Sequence, residues 1–291
     1  MKFIIFGSNG QLGRCIKSEL KASENEIFMF SKTDLDITQH DDLVNIVHEV
    51  CPDVIINASA YTAVDQAEAN ENMADLVNNE AVGNIASICK DLGCLLIHIS
   101  TDYVFDGSSS KPYKESDIPN PNTVYGLTKL KGEIAIQSSN CNHIILRTAW
   151  VFSEFGNNFL KTMLSLKDEN KLKIIDDQLG CPTYARDLAK TILIIANEYD
   201  SNDPISGIFH YCGDSECSWY DFAKEIFNQA SSLDIAVPAT IEKVSSSEYI
   251  TAAKRPSYSV LECKKIFDYF KIPKSNWRSG IKSSLNYINT N

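Results

Sequence analysis

Residues 2–13, KFIIFGSNGQLG, constrain the fold more than any other stretch of the chain. An apolar run from Phe3 to Phe6 ends in a glycine series, Gly7, Gly10 and Gly13, and a helical pattern around Cys15, Ile16 and Leu20 follows. This order predicts strand, tight turn, helix. Glycine at those positions lets the chain turn sharply, lets a phosphate approach the backbone and lets the helix pack closely on the strand. A helix that begins there would turn its unpaired N–H groups toward a pyrophosphate. A glycine trio alone equally fits a tight turn of no further use. Its place directly after a strand favours a dinucleotide site, with Asn9 counted as part of the turn.

The same rhythm recurs down the chain. Strands are predicted at Ile27–Phe30, Asp53–Asn57, Cys94–Ile99, Ile144–Arg147, Leu172–Ile175 and Ile208–Tyr211. Helices are predicted over Gln39–Glu49, Met73–Lys90, the YGLTK segment, Asn158–Lys167, Arg186–Glu198, Trp219–Asn228, Leu261–Tyr269 and Trp277–Ile288, with a loop rich in Ser and Pro before the last two. Continuously apolar strands alternating with helices specify an α/β fold with a doubly wound parallel sheet, Rossmann-like, covered on both faces. The elements shorten beyond Leu172, so residues 1–171 read as a dinucleotide-binding domain. Residues 172–291 then read mainly as a smaller substrate-binding lobe partly interleaved with it.

Composition narrows the partners. A formal charge of -11 and a pI near 5.0 disfavour a general nucleic-acid or membrane surface, while leaving room for anions held locally by backbone amides. The apolar run in MKFIIFG is too short for a secretion signal, and no segment is long enough to span a bilayer; a cytoplasmic location is expected. The nine cysteines are scattered and odd in number. They read as ordinary thiols, mostly small buried side chains, and no metal site is predicted from their spacing.

The cofactor readings follow from the ends of the strands. Ser31 and Lys32 stand where a strict NAD site often places an acid on the ribose hydroxyls, so NADPH fits and NADH is not excluded. Asp36 and Ile37 are either loop and helix-start polarity or neighbours of the adenine. Ala58, Ser59, Ala60 and Tyr61, three of them small, let the chain pass close to a flat cofactor. Asn79 stands out as a polar residue on the cofactor side of an otherwise amphipathic helix, whereas Asp65, Glu68 and Glu71 read as solvated.

The chemistry is concentrated between Leu95 and Lys129. LLIHIST ends in Ser100 and Thr101, and YGLTK sets Tyr125 and Lys129 four residues apart, on one face if helical. A free Tyr has a pKa of about 10, and a nearby ammonium is expected to lower that of Tyr125. Thr101 would hold a substrate oxygen near Tyr125, and Lys129 would also hold the cofactor's ribose hydroxyls. Because side chains alternate along a strand, Ser100 and Thr101 should not both reach the substrate, and Thr101 is favoured. A bare YxxxK means little; the order of glycine turn, strand-end hydroxyl and Tyr-Lys helix is what points to a reductase.

With these residues in place the chain resembles the extended short-chain dehydrogenase/reductase superfamily, and within it the dTDP-4-dehydrorhamnose reductase family. The resemblance spans nearly the whole length and rests on FGSNGQLG, INASAYTAVDQAE, HISTDYVFDG, NTVYGLTK, LRTAWVF with GNNF, DDQLGCPT and AAKRPSYSVL. It implies NADPH- or NADH-dependent reduction of the 4-keto group of a dTDP-linked 4-keto-6-deoxy sugar. By resemblance, Thr101, Tyr125 and Lys129 are catalytic and Gly7, Gly10, Gln11, Leu12 and Gly13 surround the pyrophosphate. Asp36, Ile37, Ala58, Ala60 and Tyr61 neighbour the cofactor. Asp102, Tyr103 and Trp150 neighbour the substrate, with Asn158, Arg255 and Ser259 on the nucleotide-sugar side. Plain alternatives stand beside two of these: Trp150 as core filler and Arg255 as a surface charge.

One departure bears on assembly. Some relatives are described as metal-assisted dimers with an acidic ligand in the first helix, and this chain has Cys15 where that acid is expected. A Mg²⁺ requirement is therefore not predicted, and a monomer or a homodimer fits. Two other readings compete. A 4,6-dehydratase would carry an acid pair after the Thr, but Tyr103 follows Asp102; a 4-epimerase would retain its NAD. A regulatory subunit on the same fold would have no chemical need for Thr101, Tyr125 and Lys129 together.

Overall fold

Six all-parallel strands carry the molecule, and their order explains where a ligand fits. The computed structural model describes residues 1–20, 25–199, 205–249 and 251–290. In chain order its first elements are β1 Lys2–Phe6, α1 Gln11–Glu19, β2 Glu26–Phe30, α2 His40–Val50, β3 Val54–Asn57, and the short helices α3 Val64–Ala67 and α4 Glu71–Asp75. A π-helical turn at Leu76–Glu80 leads into α5 Ala81–Leu92, then β4 Leu95–Thr101, a 3-10 turn at Asp102–Val104, α6 Val124–Ser139 and β5 His143–Thr148. The remainder comprises β6 Val151–Phe152, α7 Phe159–Ser165, β7 Lys171–Ile175, β8 Leu179–Gly180, β9 Thr183–Tyr184 and α8 Ala185–Asn197. It continues with β10 Gly207–His210, β11 Cys217–Ser218, α9 Trp219–Ser231, β12 Thr240–Val244, α10 Lys264–Phe270 and α11 Trp277–Thr290.

The main sheet runs β2-β1-β3-β4-β5-β10, every pair parallel. Its order reverses beside β1, so a crevice opens beyond the carboxyl ends of β1 and β3, the usual ligand position in such sheets. Strand side chains are buried on both faces, as their unbroken apolar runs require. One face packs Phe3, Ile5, Leu146 and Phe209 beneath Leu12 and Ile16 of α1 and Leu188 and Ile192 of α8. The other packs Ile4, Ile55 and Leu96 beneath Leu43 and Val47 of α2, Val82 and Ile85 of α5 and Ile136 of α6.

A third core, built from Phe152, Leu160, Ile174, Phe222, Ile226, Trp277 and Ile281, holds together elements outside the main sheet. The segment expected to be a loop rich in Ser and Pro contains β12, which lies parallel to β7 with Ile241 opposite Leu172. Its residues TIEKV are mostly exposed, so they lack the continuous apolar signature that marks a central strand. The helix expected over Met73–Lys90 is interrupted by the π-turn. That turn slips the helical phase and carries Asn78, fully buried, toward the loop after β3.

Candidate active site

The glycine turn folds as its residue types require. Gly7 has φ +81°, and a Cβ there would stand 2.8 Å from the carbonyl carbon of Ala58. A Cβ on Gly13 would stand 2.3 Å from the Gly7 carbonyl oxygen. Strand, turn and helix therefore meet at distances only glycine permits, leaving the start of α1 open to a flat, phosphate-bearing ligand. No side chain caps α1, whose N-cap is Gly10, so its first N–H groups remain for an anion. The residues present fit a dinucleotide.

A cleft of about 960 Å³ begins at this turn. Gly10, Gln11, Leu12, Ala58, Ser59 and Ala60 line the end at the turn, and Thr101, Asp102, Tyr103, Tyr125, Lys129, Trp150, Asn158 and Arg255 line the rest. Sequence-distant candidates thus share one cavity. Others lie elsewhere: Asn9 is exposed, and Ile37 belongs to the core on the α2 side of the sheet. Ser31 is buried and gives its hydroxyl to Asp34 at 2.6 Å, while exposed Lys32 stands 3.8 Å from Asp36. Tyr61 is fixed through its backbone, whose N–H donates to Asn78 Oδ1 at 2.9 Å. Asn79 turns to Asp75 at 3.2 Å, so the π-turn makes Asn78, not Asn79, the inward polar residue.

The end of β4 presents two hydroxyls with different fates. Ser100 Oγ donates to Glu133 at 2.5 Å, and Glu133 also accepts from Arg147 at 2.6 Å in a buried pair. Thr101 Oγ1 donates to Asp102 Oδ1 at 3.0 Å and accepts from the Tyr103 N–H at 3.1 Å. Strand alternation thus sends Ser100 into the helix interface and leaves Thr101 at the cleft.

Burial of the Asp102 carboxyl raises its pKa to about 6, opposed by hydrogen bonds from Ser259 and Thr101. Its Oδ2 has no protein partner. Ser259 itself is buried behind Asp102 rather than in the cleft lining.

Tyr125 departs from expectation. The side chain is half-buried, and its hydroxyl is held above its ordinary value of 10.0, chiefly by desolvation, with Asp102 and Tyr103 adding to the rise and a hydrogen bond to Thr101 opposing it. Lys129 does not lower it. The Lys129 Nζ is directed instead at His98 Nε2, 3.0 Å away, and at the Ile99 carbonyl oxygen at 2.6 Å. Burial lowers the Lys129 pKa to about 8, against the attraction of Glu133. Tyr125 is therefore a neutral phenol near neutrality, able to give a proton. Tyr103 packs edge-on against it with ring centroids 5.5 Å apart.

The far wall is aromatic and charged. Trp150 has a left-handed backbone, φ +48°, and stacks on Trp219 with centroids 3.5 Å apart and rings 6° from parallel. Gly180 makes the stack feasible, since a Cβ there would lie 2.4 Å from the Trp150 ring. Trp219 opens α9 after the Ser218 capping box and was not among the sequence candidates. As the first residue of an amphipathic helix it carries no local signal of a site.

Arg255 pairs with Asp65 at 2.8 Å, tying the C-terminal part to α3. Asn158 caps α7 and gives its amide to the carbonyls of Ser153 and Phe155 and to Gln11 Oε1, so it braces the wall of the cleft. Cys15 is fully buried, and burial raises its thiol to about 12. Eight of the nine cysteines are buried, Cys51 alone being exposed.

Comparison with known proteins agrees with this geometry. The family model described as "RmlD substrate binding domain" matches residues 1–290. A dTDP-4-dehydrorhamnose reductase of Sinorhizobium fredii is 39 % identical over 285 residues, covering 97 % of this chain and 96 % of the relative. A solved dTDP-4-dehydrorhamnose reductase from Clostridium acetobutylicum superposes with a TM-score of 0.92 at 37 % identity, covering 99 % of this chain and 100 % of that one. Another, from Bacillus anthracis in complex with NADP, gives 0.91 at 34 % identity, covering 98 % and 99 %. No helix among the described residues is long and apolar enough to cross a membrane. Agreement of sequence and fold over nearly the full length means that the chain belongs to the dTDP-4-dehydrorhamnose reductase family, the NAD(P)H-dependent ketoreductases of the extended short-chain dehydrogenase/reductase superfamily.

Proposed function

We propose that this protein reduces the 4-keto group of dTDP-6-deoxy-L-lyxo-4-hexulose to give dTDP-L-rhamnose, in the cytoplasm, with Thr101, Tyr125 and Lys129 as its catalytic residues. The observation that carries the reading is the meeting of Thr101 and a neutral Tyr125 in a cleft that begins at the Gly7–Gly13 turn. When bound, the reduced nicotinamide supplies hydride to C4.

Thr101 Oγ1 is held by Asp102 and by the Tyr103 N–H, and it fixes the ketone oxygen. Tyr125 turns its O–H from Thr101 to that oxygen and gives up its proton as charge develops there. A raised pKa suits this direction, because the group must hold its proton until the substrate oxygen becomes basic. Lys129 lies one helical turn beyond Tyr125 and reaches toward the ribose of the cofactor. Asp102 and Tyr103 meet the sugar, the Trp150 indole walls it, and Arg255 takes the diphosphate with its planar fork. Residues 172–291 act mainly as the substrate-binding lobe.

Incubation with the dTDP-4-keto sugar and each reduced cofactor, with the C4 configuration of the product read by NMR, tests the assignment. Tyr125→Phe is expected to lower kcat by about 100- to 10,000-fold while the NADPH Kd stays within about twofold. Near-normal turnover in that variant would remove Tyr125 from the chemistry.

A further inference from the structure

A buried hydrogen-bond chain behind Lys129 has no part in the mechanism above. Asn57, at the end of β3, and His98, in the middle of β4, are both fully buried. Asn57 Oδ1 stands 3.1 Å from the Ser59 backbone nitrogen. A backbone N–H can only donate, so that oxygen must accept and the amide orientation is pinned. The other end of the amide, Nδ2, then points its hydrogen at His98 Nδ1, 3.2 Å away. Nδ1 must therefore be bare.

Burial pushes the His98 pKa well below 6.5, and with Nδ1 bare the single proton of the neutral ring is on Nε2. That N–H faces Lys129 Nζ at 3.0 Å. Two donors cannot share one hydrogen bond, and an ammonium has no lone pair to offer. The amine, by contrast, accepts from His98 and still donates to the Ile99 carbonyl oxygen at 2.6 Å.

We propose that Asn57 and His98 favour the uncharged amine of Lys129 in the free enzyme, and that Lys129 takes up a proton from solvent when the dinucleotide binds. The surrounding charges agree. Among the described residues, Glu133, one turn along α6, is the acid that acts on Lys129, and Arg147 from β5 closes on it at 2.6 Å. Asp102, from the 3-10 turn, acts on Tyr103 and Tyr125. A ligand that brings negative charge and ribose hydroxyls to the cleft would add to the pull of Glu133 and favour the ammonium. His98 is on this account a positioning residue, acting through Lys129. Ser59, which lines the cleft, connects the chain to the cofactor side.

The proposal rests on Lys129 reaching the cofactor, and the test separates the two ideas. NADPH binding is followed by calorimetry at pH 9 in buffers of different ionisation heat, which counts protons; the 2′-phosphate, with a second pKa of about 6, is already ionised there. Wild type is expected to take up close to one proton, and Asp102→Asn to behave likewise.

Asn57→Asp keeps the Ser59 contact but accepts from His98 Nδ1, moving the ring proton and leaving Nε2 to accept from an ammonium. Its uptake is expected to fall to near zero. His98→Gln, which can turn its carbonyl oxygen to Lys129, should do the same and serves if the buried acid prevents folding. Binding without uptake in wild type, undiminished uptake in both Asn57→Asp and His98→Gln, or loss of uptake in Asp102→Asn would overturn the proposal. Unchanged NADPH affinity in Lys129→Met would instead count against the cofactor role of Lys129, whatever the proton count.

Discussion

Asp102 shows how a single side chain at this site trades stability for position. Its carboxyl is 2 % exposed and has a pKa of about 6 in place of 3.8. Between those values the folded state holds a proton that the unfolded state has released, so stability falls as pH rises from about 4 to 6. Above that window the buried carboxylate costs on the order of 2 to 3 kcal/mol. Asp102→Asn is expected to raise the unfolding midpoint at pH 7.5 by about 3 to 6 °C, with the gain shrinking as the pH is lowered from 6 to 4. A pH series of thermal melts on both proteins checks the sign. The same substitution should weaken turnover, because Thr101 Oγ1 loses the charged acceptor that orients it.

At the scale of the element, α6 positions the chemistry and its glycine sets how closely it docks. A Cβ on Gly126 would lie 2.1 Å from the Tyr103 carbonyl oxygen, a backbone atom that cannot turn aside. Gly126→Ala is expected to push the start of α6 away from the 3-10 turn and so to part Tyr125 from Thr101. The loss should be about 1 to 3 kcal/mol of stability and roughly 100-fold in kcat, read by denaturant melts and steady-state kinetics. Gly83 in α5 is the matched control, since a Cβ there meets only the Ala135 Cβ at 3.5 Å. Gly83→Ala should stabilise by about 0.5 to 1 kcal/mol with kcat unchanged.

For the whole molecule, the main sheet is completed from far along the chain. β10 pairs with β5, with Phe209 opposite Leu146, and Leu188 and Ile192 of α8 cover one face with Leu261, Ile266 and Phe270. The C-terminal segment also returns to the cleft. Arg255 and the Ala253 N–H bond Asp65, and Ser257 Oγ donates to the Gly107 carbonyl oxygen at 2.9 Å. A fragment of residues 1–171 lacks all of these. It is expected to bind a hydrophobic dye and to melt without a cooperative transition, because one sheet face and the β5 edge would meet water. A sharp, native-like melt of that fragment would show that the N-terminal half is self-sufficient.

What the sequence determined by itself was local: which runs are strands, where glycine must stand, and that Tyr125 and Lys129 share a helical face. Covalent geometry and side-chain period dictate these, and they need no knowledge of neighbours. Only the tertiary structure decided what each group faces. Lys129 was expected to lower the Tyr125 pKa, yet it turns to His98, because packing directs a long side chain in ways that i, i+4 spacing does not specify. Asn78 replaces Asn79 at the inward position because a π-turn, invisible in a 3.6-residue pattern, slips the phase. Trp219 joins Trp150 from 69 residues away, and β12 finds β7 despite its polar surface. Protonation and contact depend on burial and on distant partners, which exist only after the chain has folded around the turn at Gly7.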